Sequence, residues 1–347
     1  MAYTTINKSS SFMNTKLYTG NGSTQTITGV GFSAGLTWIK GRDAGGESHR
    51  LTDVVRGTGY NLRTNANGGQ DTSSNTLTSW NSDGFALGAN DSSNKNTKNF
   101  ASWNWKAETA VSGSTTGSGT AKTYTGSVNA TAGFSIIKYT GNGTNGMTIP
   151  HHLGAVPKMI IVKRLDAGSW NWQVYHTSLG ATKYIGLNDT TGAGTSSSRW
   201  YDVEPTSSVF TLGNDSDVNV NDATFVAYVF AEKQGYSKFA QYTGNNNANG
   251  PFIYTGFKPS FVMIKNASIS TNWVMIDNKR PGFNSNNYFL SPNLSDAETT
   301  NYGLEILSNG FKPLTNLSWI NESGSNIIYM AFGQTLVGTN NIPNNAR

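Results

Sequence analysis

The residue types able to do chemistry in this chain are few and scattered. Four histidines, His49, His151, His152 and His176, and a complete lack of cysteine leave a thin supply of metal ligands and nucleophiles. His151 and His152 are neighbours, and on an extended chain they point to opposite faces, which suits a turn or the surface and not two ligands on one metal. The run Asp215-Ser216-Asp217-Val218-Asn219-Val220-Asn221-Asp222 has the look of a calcium loop. It lacks the glycine at the sixth position and the glutamate at the twelfth, where Val226 stands, so it reads as a plain hairpin loop. No nucleophile elbow, phosphate loop or dinucleotide fingerprint occurs, and among 20 acidic residues no pair stands out for glycoside hydrolysis, although folding can assemble such a pair. The expectation is a protein that is not an enzyme and uses no metal and no cofactor.

Aromatic side chains offer a second kind of chemistry. Trp172 and Trp273 sit at matching places in two copies of an internal repeat and are assigned to packing, whereas Trp170, Trp200 and Tyr201 have no counterparts. Trp200 and Tyr201 follow the polar loop 190–198, where a large apolar ring has little local reason to be. A ring exposed there beside Arg199 stacks on a sugar face while polar neighbours hold its hydroxyls. The reading is a carbohydrate-recognition surface on the middle module, made by Trp200, Tyr201, Trp170 and Arg199, with a host-surface glycan as partner. Two alternatives stay open: Trp170, two residues before Trp172, extends the core, and Trp200 fills a gap beneath its loop or a contact between subunits.

The elements that must position these residues recur three times. A proline, an apolar run and a lysine make Pro157-Lys158-Met159-Ile160-Ile161-Val162-Lys163 and Pro259-Ser260-Phe261-Val262-Met263-Ile264-Lys265; Ala34-Gly35-Leu36-Thr37-Trp38-Ile39-Lys40 is a degenerate copy. Proline is tolerated at the first residue of a strand, and an unbroken apolar run suits a strand buried on both faces. Upstream of each lies Tyr-Thr-Gly-Asn, at 18–21, 139–142 and 242–245, and each unit closes on an aromatic strand, Phe100 to Trp105, Phe225 to Phe230 and Ile327 to Phe332. At Asp53, His176 and Asp277 the copies share a polar position, which reads as an exposed strand end.

Short strand-like segments between turn signals, with no sustained helical period, predict an all-β chain: three tandem β-sandwich, jelly-roll-like modules. The expected boundaries are module one at 1–108, a flexible Gly/Ser/Thr linker at 109–122, module two at 123–233 and module three at 234–347. Modules two and three are expected to dock closely while module one reorients on its linker. Tyr124-Thr125-Gly126 reads as a partial edge strand, and the polar tail 340–347 as loose.

With 25 basic and 20 acidic residues spread along the chain, the net charge of +5 forms no cluster, which argues against nucleic acid. No stretch approaches the roughly 20 apolar residues of a membrane-spanning helix, and the N-terminus lacks a signal-peptide core.

The Tyr-Thr-Gly-Asn motif, the run Gly256-Phe257-Lys258-Pro259-Ser260-Phe261-Val262-Met263-Ile264-Lys265 and the run Ala227-Tyr228-Val229-Phe230-Ala231-Glu232 together resemble repeat-containing tail and virion structural proteins of marine tailed bacteriophages, over the whole chain. The resemblance implies a virion structural protein made in the host cytoplasm, a tail fibre or tail-associated appendage that contacts other virion proteins and forms a homo-oligomer. It supplies no catalytic residues. Where members of such families often carry cysteine in the closing aromatic strand, this chain has Trp103 and Tyr228. A capsid decoration or capsid fibre protein is the alternative within the virion, and a polysaccharide-degrading virion enzyme the alternative from another class.

Overall fold

A computed structural model describes residues 3–43, 45–280, 284–285, 287–300 and 303–337; the tail 340–347 lies outside them. The first third of the chain carries β1 (Met13–Thr19), β2 (Gln25–Thr28), β3 (Leu36–Gly41), β4 (Arg50–Asp53), β5 (Tyr60–Asn61), β6 (Asp71–Thr72), β7 (Leu77–Asn81), β8 (Gly84–Leu87), the single turn α1 (Asp91–Asn94) and β9 (Asn99–Trp105). The second carries β10 (Thr109–Ser114), β11 (Thr116–Gly117), β12 (Thr123–Asn129), β13 (Phe134–Thr140), β14 (Met147–Pro150), β15 (Pro157–Arg164), β16 (Gln173–His176), β17 (Lys183–Gly186), β18 (Gly194–Thr195), α2 (Ser197–Trp200), β19 (Val209–Leu212) and β20 (Thr224–Ala231). The third carries β21 (Ser237–Thr243), β22 (Ile253–Tyr254), β23 (Lys258–Asn266), β24 (Val274–Asp277), β25 (Leu304–Leu307), β26 (Gly310–Pro313), α3 (Ser318–Asn321) and β27 (Asn326–Gln334). The protein is all-β, with antiparallel sheets and, among the described residues, three α-helices of one turn each and a 3-10 turn at Ser9–Ser11.

Each third holds one large and one small sheet, and the first adds the two-stranded pair β5-β6. The large sheets run β1-β9-β3-β4, β13-β20-β15-β16 and β21-β27-β23-β24, the same order each time, and the middle one is extended by β12 and β10 on one side and by β17 and β18 on the other. The small sheets are β2-β8-β7, β11-β14-β19 and β22-β26-β25. Pro157 and Pro259 sit where β15 and β23 slip register against β20 and β27, the kind of irregularity that accepts a residue without an N–H.

The unbroken apolar runs have a specific cause. Successive side chains of a strand face opposite ways. Met159 and Ile161 of β15 enter one core and Ile160 and Val162 another; Phe261 and Met263 part from Val262 and Ile264 in the same way. One set packs against the small sheet of its own third, in clusters around Phe85, Phe210 and Phe311. The other set, from all three thirds, meets in one shared core. At its heart Trp105, Phe230 and Phe332 form a closed triangle, with ring centroids 6.3, 5.9 and 6.0 Å apart. These three are equivalent residues of β9, β20 and β27, so the thirds pack around the triangle cyclically.

Two expectations about the first third are corrected by this packing. It does not reorient, because Trp103 and Trp105 are buried in the shared core. Nor is 109–122 a flexible linker: β10 pairs with β12 from Thr109↔Val128 to Ser114↔Thr123, and β11 pairs with β14. A ladder is made by the backbone, so side chains too small to build a core still support a strand at a sheet edge, and threonine favours one. Tyr124-Thr125-Gly126 lies in β12, between β10 and β13.

The Tyr-Thr-Gly-Asn motif is a latch made three times. Tyr18, Tyr139 and Tyr242 donate to the carbonyls of Ser93, Val218 and Ile320 at 2.6, 2.7 and 2.7 Å. The side-chain oxygens of Asn94, Asn219 and Asn321 accept the backbone N–H of Asn21, Asn142 and Asn245, each at 2.9 Å. The intervening glycine is needed because a Cβ on Gly20, Gly141 or Gly244 would lie 2.2 to 2.3 Å from a backbone oxygen of the apposed loop.

Candidate functional site

The proposed sugar-binding residues divide sharply in their surroundings. Trp200 ends α2, whose Ser196 cap accepts the Ser198 N–H, and Tyr201 then turns the chain with a left-handed φ of 55°. Trp200 itself points inward: it is 2% exposed, edge-to-face with Tyr175 at 6.0 Å, in the cluster with Ile160, Phe210 and Leu212. Trp200 therefore fills the space beneath its own loop, and the exposed-ring reading of it is corrected. Arg199 is also engaged. Its guanidinium lies 4.8 Å from the Tyr184 ring and pairs with Asp215 and Asp217. Trp170 is half-buried with the Arg164 guanidinium 4.1 Å from its ring centroid. Of the four residues, Tyr201, 44% exposed, presents the open ring.

The loop 215–222 spends its carboxylates within the protein. Asp217 accepts from Gln173 Nε2 at 2.7 Å and from the Asn171 N–H at 3.0 Å, and Asp222 pairs with Lys122 at 2.6 Å. His151 is buried, not at the surface: its Nδ1 accepts the Leu153 N–H and its Nε2 lies 3.2 Å from the Thr206 carbonyl, so it ties a turn together. Burial lowers its pKa to about 4. His152 is exposed, with Nε2 2.8 Å from the Tyr124 hydroxyl.

The densest polar chemistry lies at three buried junctions between the thirds. Asp53, His176 and Asp277, expected at exposed strand ends, are 0%, 1% and 0% exposed. Asp53 accepts from Arg56 Nε at 2.6 Å and from the Tyr228 hydroxyl of the second third at 2.8 Å. Asp277 accepts from Arg280 Nε at 2.7 Å and from Trp103 Nε1 of the first third at 3.0 Å. His176 places Nε2 3.1 Å from the Tyr329 carbonyl of the third third while its Nδ1 accepts the Ser178 N–H. First joins second, second joins third, third joins first, and the ring closes.

A second set of links runs in the opposite sense. The indole N–H of Trp172 donates to the carbonyls of Arg63 and Ala66, and that of Trp273 to the carbonyl of Gly186. At the matching place stands His49, which accepts the Trp38 N–H at Nδ1 and meets the Ser291 carbonyl at 3.0 Å through Nε2. The lysines that end the apolar runs complete the pattern. Lys40, Lys163 and Lys265 are buried, and each amine reaches one carbonyl of its own third and one of a neighbour: Gly41 and Ser295, Trp170 and Asn67, Thr271 and Thr190. Burial lowers all three to about 8. A neutral amine still donates two hydrogen bonds, enough for both carbonyls.

In chemical terms these groups are saturated. Each junction carboxylate is held by an arginine and a second donor in a packed interior. Sequence reasoning missed this set, although the recurring lysine and the recurring polar position were its signals.

Comparison with curated proteins gave no match. A family model for a domain of unknown function, DUF7483, matches residues 8–335. That span runs from before β1 to just past β27, taking in all three thirds and every junction between them, and the chain belongs to the DUF7483 family.

Proposed function

We propose that the protein is a non-enzymatic structural component of a bacteriophage virion, a tail fibre or tail-associated appendage, built as three jelly-roll-like β-sandwich modules closed into a ring. The observation that carries the structural reading is the use of the buried titratable groups: the junction carboxylates, the buried histidines and the lysines at the ends of the apolar runs are all engaged in holding loops or thirds together. A rigid body of this kind suits a building block that must keep its shape under load. The virion assignment is supported by the resemblance of the repeated motifs to phage tail and virion proteins, which also favours assembly with other virion proteins and with further copies of the chain.

Gold-labelled antibody to this protein, viewed by electron microscopy on virions, tests the location. Label on tail fibres or the tail tip supports the reading; label on the capsid moves the protein to a decoration role; no label on particles rejects a virion role. Host-surface recognition belongs to the same proposal, with Tyr201 as the ring available for stacking on a sugar. Tyr201→Ala is expected to lower binding to host cells without affecting assembly, and unchanged host binding removes that surface from the account.

A further inference from the structure

The three thirds provide an internal control for one surface, the outer strand of each large sheet. β1, β13 and β21 occupy equivalent positions, aligned by Tyr18, Tyr139 and Tyr242, and their outward backbone groups are treated in three ways. β13 is covered by β12, antiparallel from Tyr139↔Tyr124 to Phe134↔Asn129. β21 is capped at one point, where the Glu232 carboxylate accepts the outward Phe239 N–H at 3.2 Å and pairs with Lys238 at 2.9 Å. β1 is open. The bonds from the Lys106 N–H to the Phe12 carbonyl and from the Asn104 side chain to the Asn14 carbonyl fix even-numbered residues as facing β9. Thr15 and Leu17 then aim their N–H and C=O groups outward, and no described residue bonds them.

Beside this edge runs a groove of about 290 Å³ lined by Asn14, Thr15, Lys16, Leu17, Gly29 and Lys279. The charged groups of its lining are both cations, and one carboxylate, Asp83, which accepts the Gly29 and Gly31 N–H groups, lies near Lys16. The Thr15 hydroxyl, in a residue 6% exposed, is buried there without a hydrogen-bond partner.

We propose that the β1 edge receives an added antiparallel strand from a partner protein, carrying an acidic side chain toward Lys16 and Lys279. β12 on β13 shows within the same molecule that this edge position accepts such a strand, and it sets the register: the partner residue opposite Lys16 corresponds to Gly126 opposite Ile137. Charge argues against a second copy as the occupant, because pairing β1 with its own mate would bring two Lys16 and two Lys279 side chains together. The site rests on the geometry of β1 and not on where the protein resides.

The probes are blocked synthetic peptides copying Thr123–Asn129 with Gly126→Glu or Gly126→Lys, added to the full chain. Amide exchange by NMR is the readout. The Gly126→Glu peptide is expected to slow exchange at Thr15 and Leu17 and to bind more tightly than the Gly126→Lys peptide. The double variant Lys16→Glu, Lys279→Glu should weaken the Gly126→Glu peptide by about tenfold or more, reversing the preference. Leu17→Pro, which removes one outward N–H and no ladder bond, should abolish the protection. Equal binding of both peptides, protection at β10 instead of β1, or no protection at Thr15 and Leu17 overturns the proposal. A dimer in sedimentation that Leu17→Pro dissolves overturns the partner assignment in favour of a second copy.

Discussion

The carboxylate junctions and the histidine junction do the same mechanical work with different chemistry, and the difference follows from what faces them. Asp53 and Asp277 each have an arginine three residues on, Arg56 and Arg280, and each meets a side-chain donor from the neighbouring third, Tyr228 or Trp103. The third copy of that donor position, in β27, is Met330, which has no hydrogen to give. There the junction residue is His176, three residues before Leu179, and it turns to a backbone carbonyl, that of Tyr329. A buried carboxylate needs its arginine and its donor together; a neutral imidazole needs only an acceptor for one N–H and a donor for its other nitrogen. The three positions thus covary with their surroundings, as links in one closed ring should.

Breaking a carboxylate junction should have the largest effect. Asp53→Ala leaves Arg56 buried beside an apolar methyl and is expected to cost about 3 to 5 kcal/mol, read as a fall in urea midpoint at unchanged slope. Trp105→Ala opens a cavity at the centre of the shared core and should cost a similar amount, about 3 to 5 kcal/mol, in the same measurement. If either residue lay at an independent surface, the cost would be below about 1 kcal/mol.

The histidine junction predicts a pH dependence of stability. Burial holds His176 neutral, with its pKa lowered to about 4, so the unfolded chain binds a proton that the folded chain refuses. The sign follows: this contribution is fully present above about pH 6.5 and is lost as pH falls through about 4, on the order of 3 kcal/mol in all. His151, lowered to about 4 by burial, acts in the same window. His176→Gln should flatten the decline in melting temperature between pH 6.5 and 4; an unchanged slope would assign the decline elsewhere.

The smallest effect concerns the lysines. With folded pKa values of about 8, their charged forms are disfavoured by folding, so stability should rise from about pH 8 toward 10.5 as the unfolded chain alone stays protonated. Lys163→Met removes both the charge and the donors to Asn67 and Trp170, and these losses oppose each other. Its expected cost at pH 7 is within about 1 kcal/mol, with a shallower rise above pH 8 as its signature.

Much of the local structure was legible in the sequence and little of the assembly. The proline-led runs became β15 and β23 because their short unbroken apolar stretches, leading prolines and β-branched residues all favour strands. An apolar run such as Met159 to Val162 also states that both faces are covered. One small sheet covers one face only, and the other is covered by residues over a hundred positions away, which no local pattern names. The same blindness applied to polar residues: Asp53, His176 and Asp277 looked like strand ends because their partners, Tyr228, Tyr329 and Trp103, lie in other thirds. Trp200 was misplaced for a more local reason, since a one-turn helix too short to show a period places its last residue inward from within a polar segment. In 109–122, small polar side chains hid a backbone ladder.

The central claim is that three repeated thirds share one core and unfold together. Differential scanning calorimetry of the whole chain tests it most directly, supported by tryptophan fluorescence on the same ramp, since the indoles are distributed over all three thirds. A ring closed through one core predicts a single transition, coincident by both probes, with calorimetric and van't Hoff enthalpies in a ratio near one. Two or three resolved transitions, with the first third melting apart from the others, would contradict it.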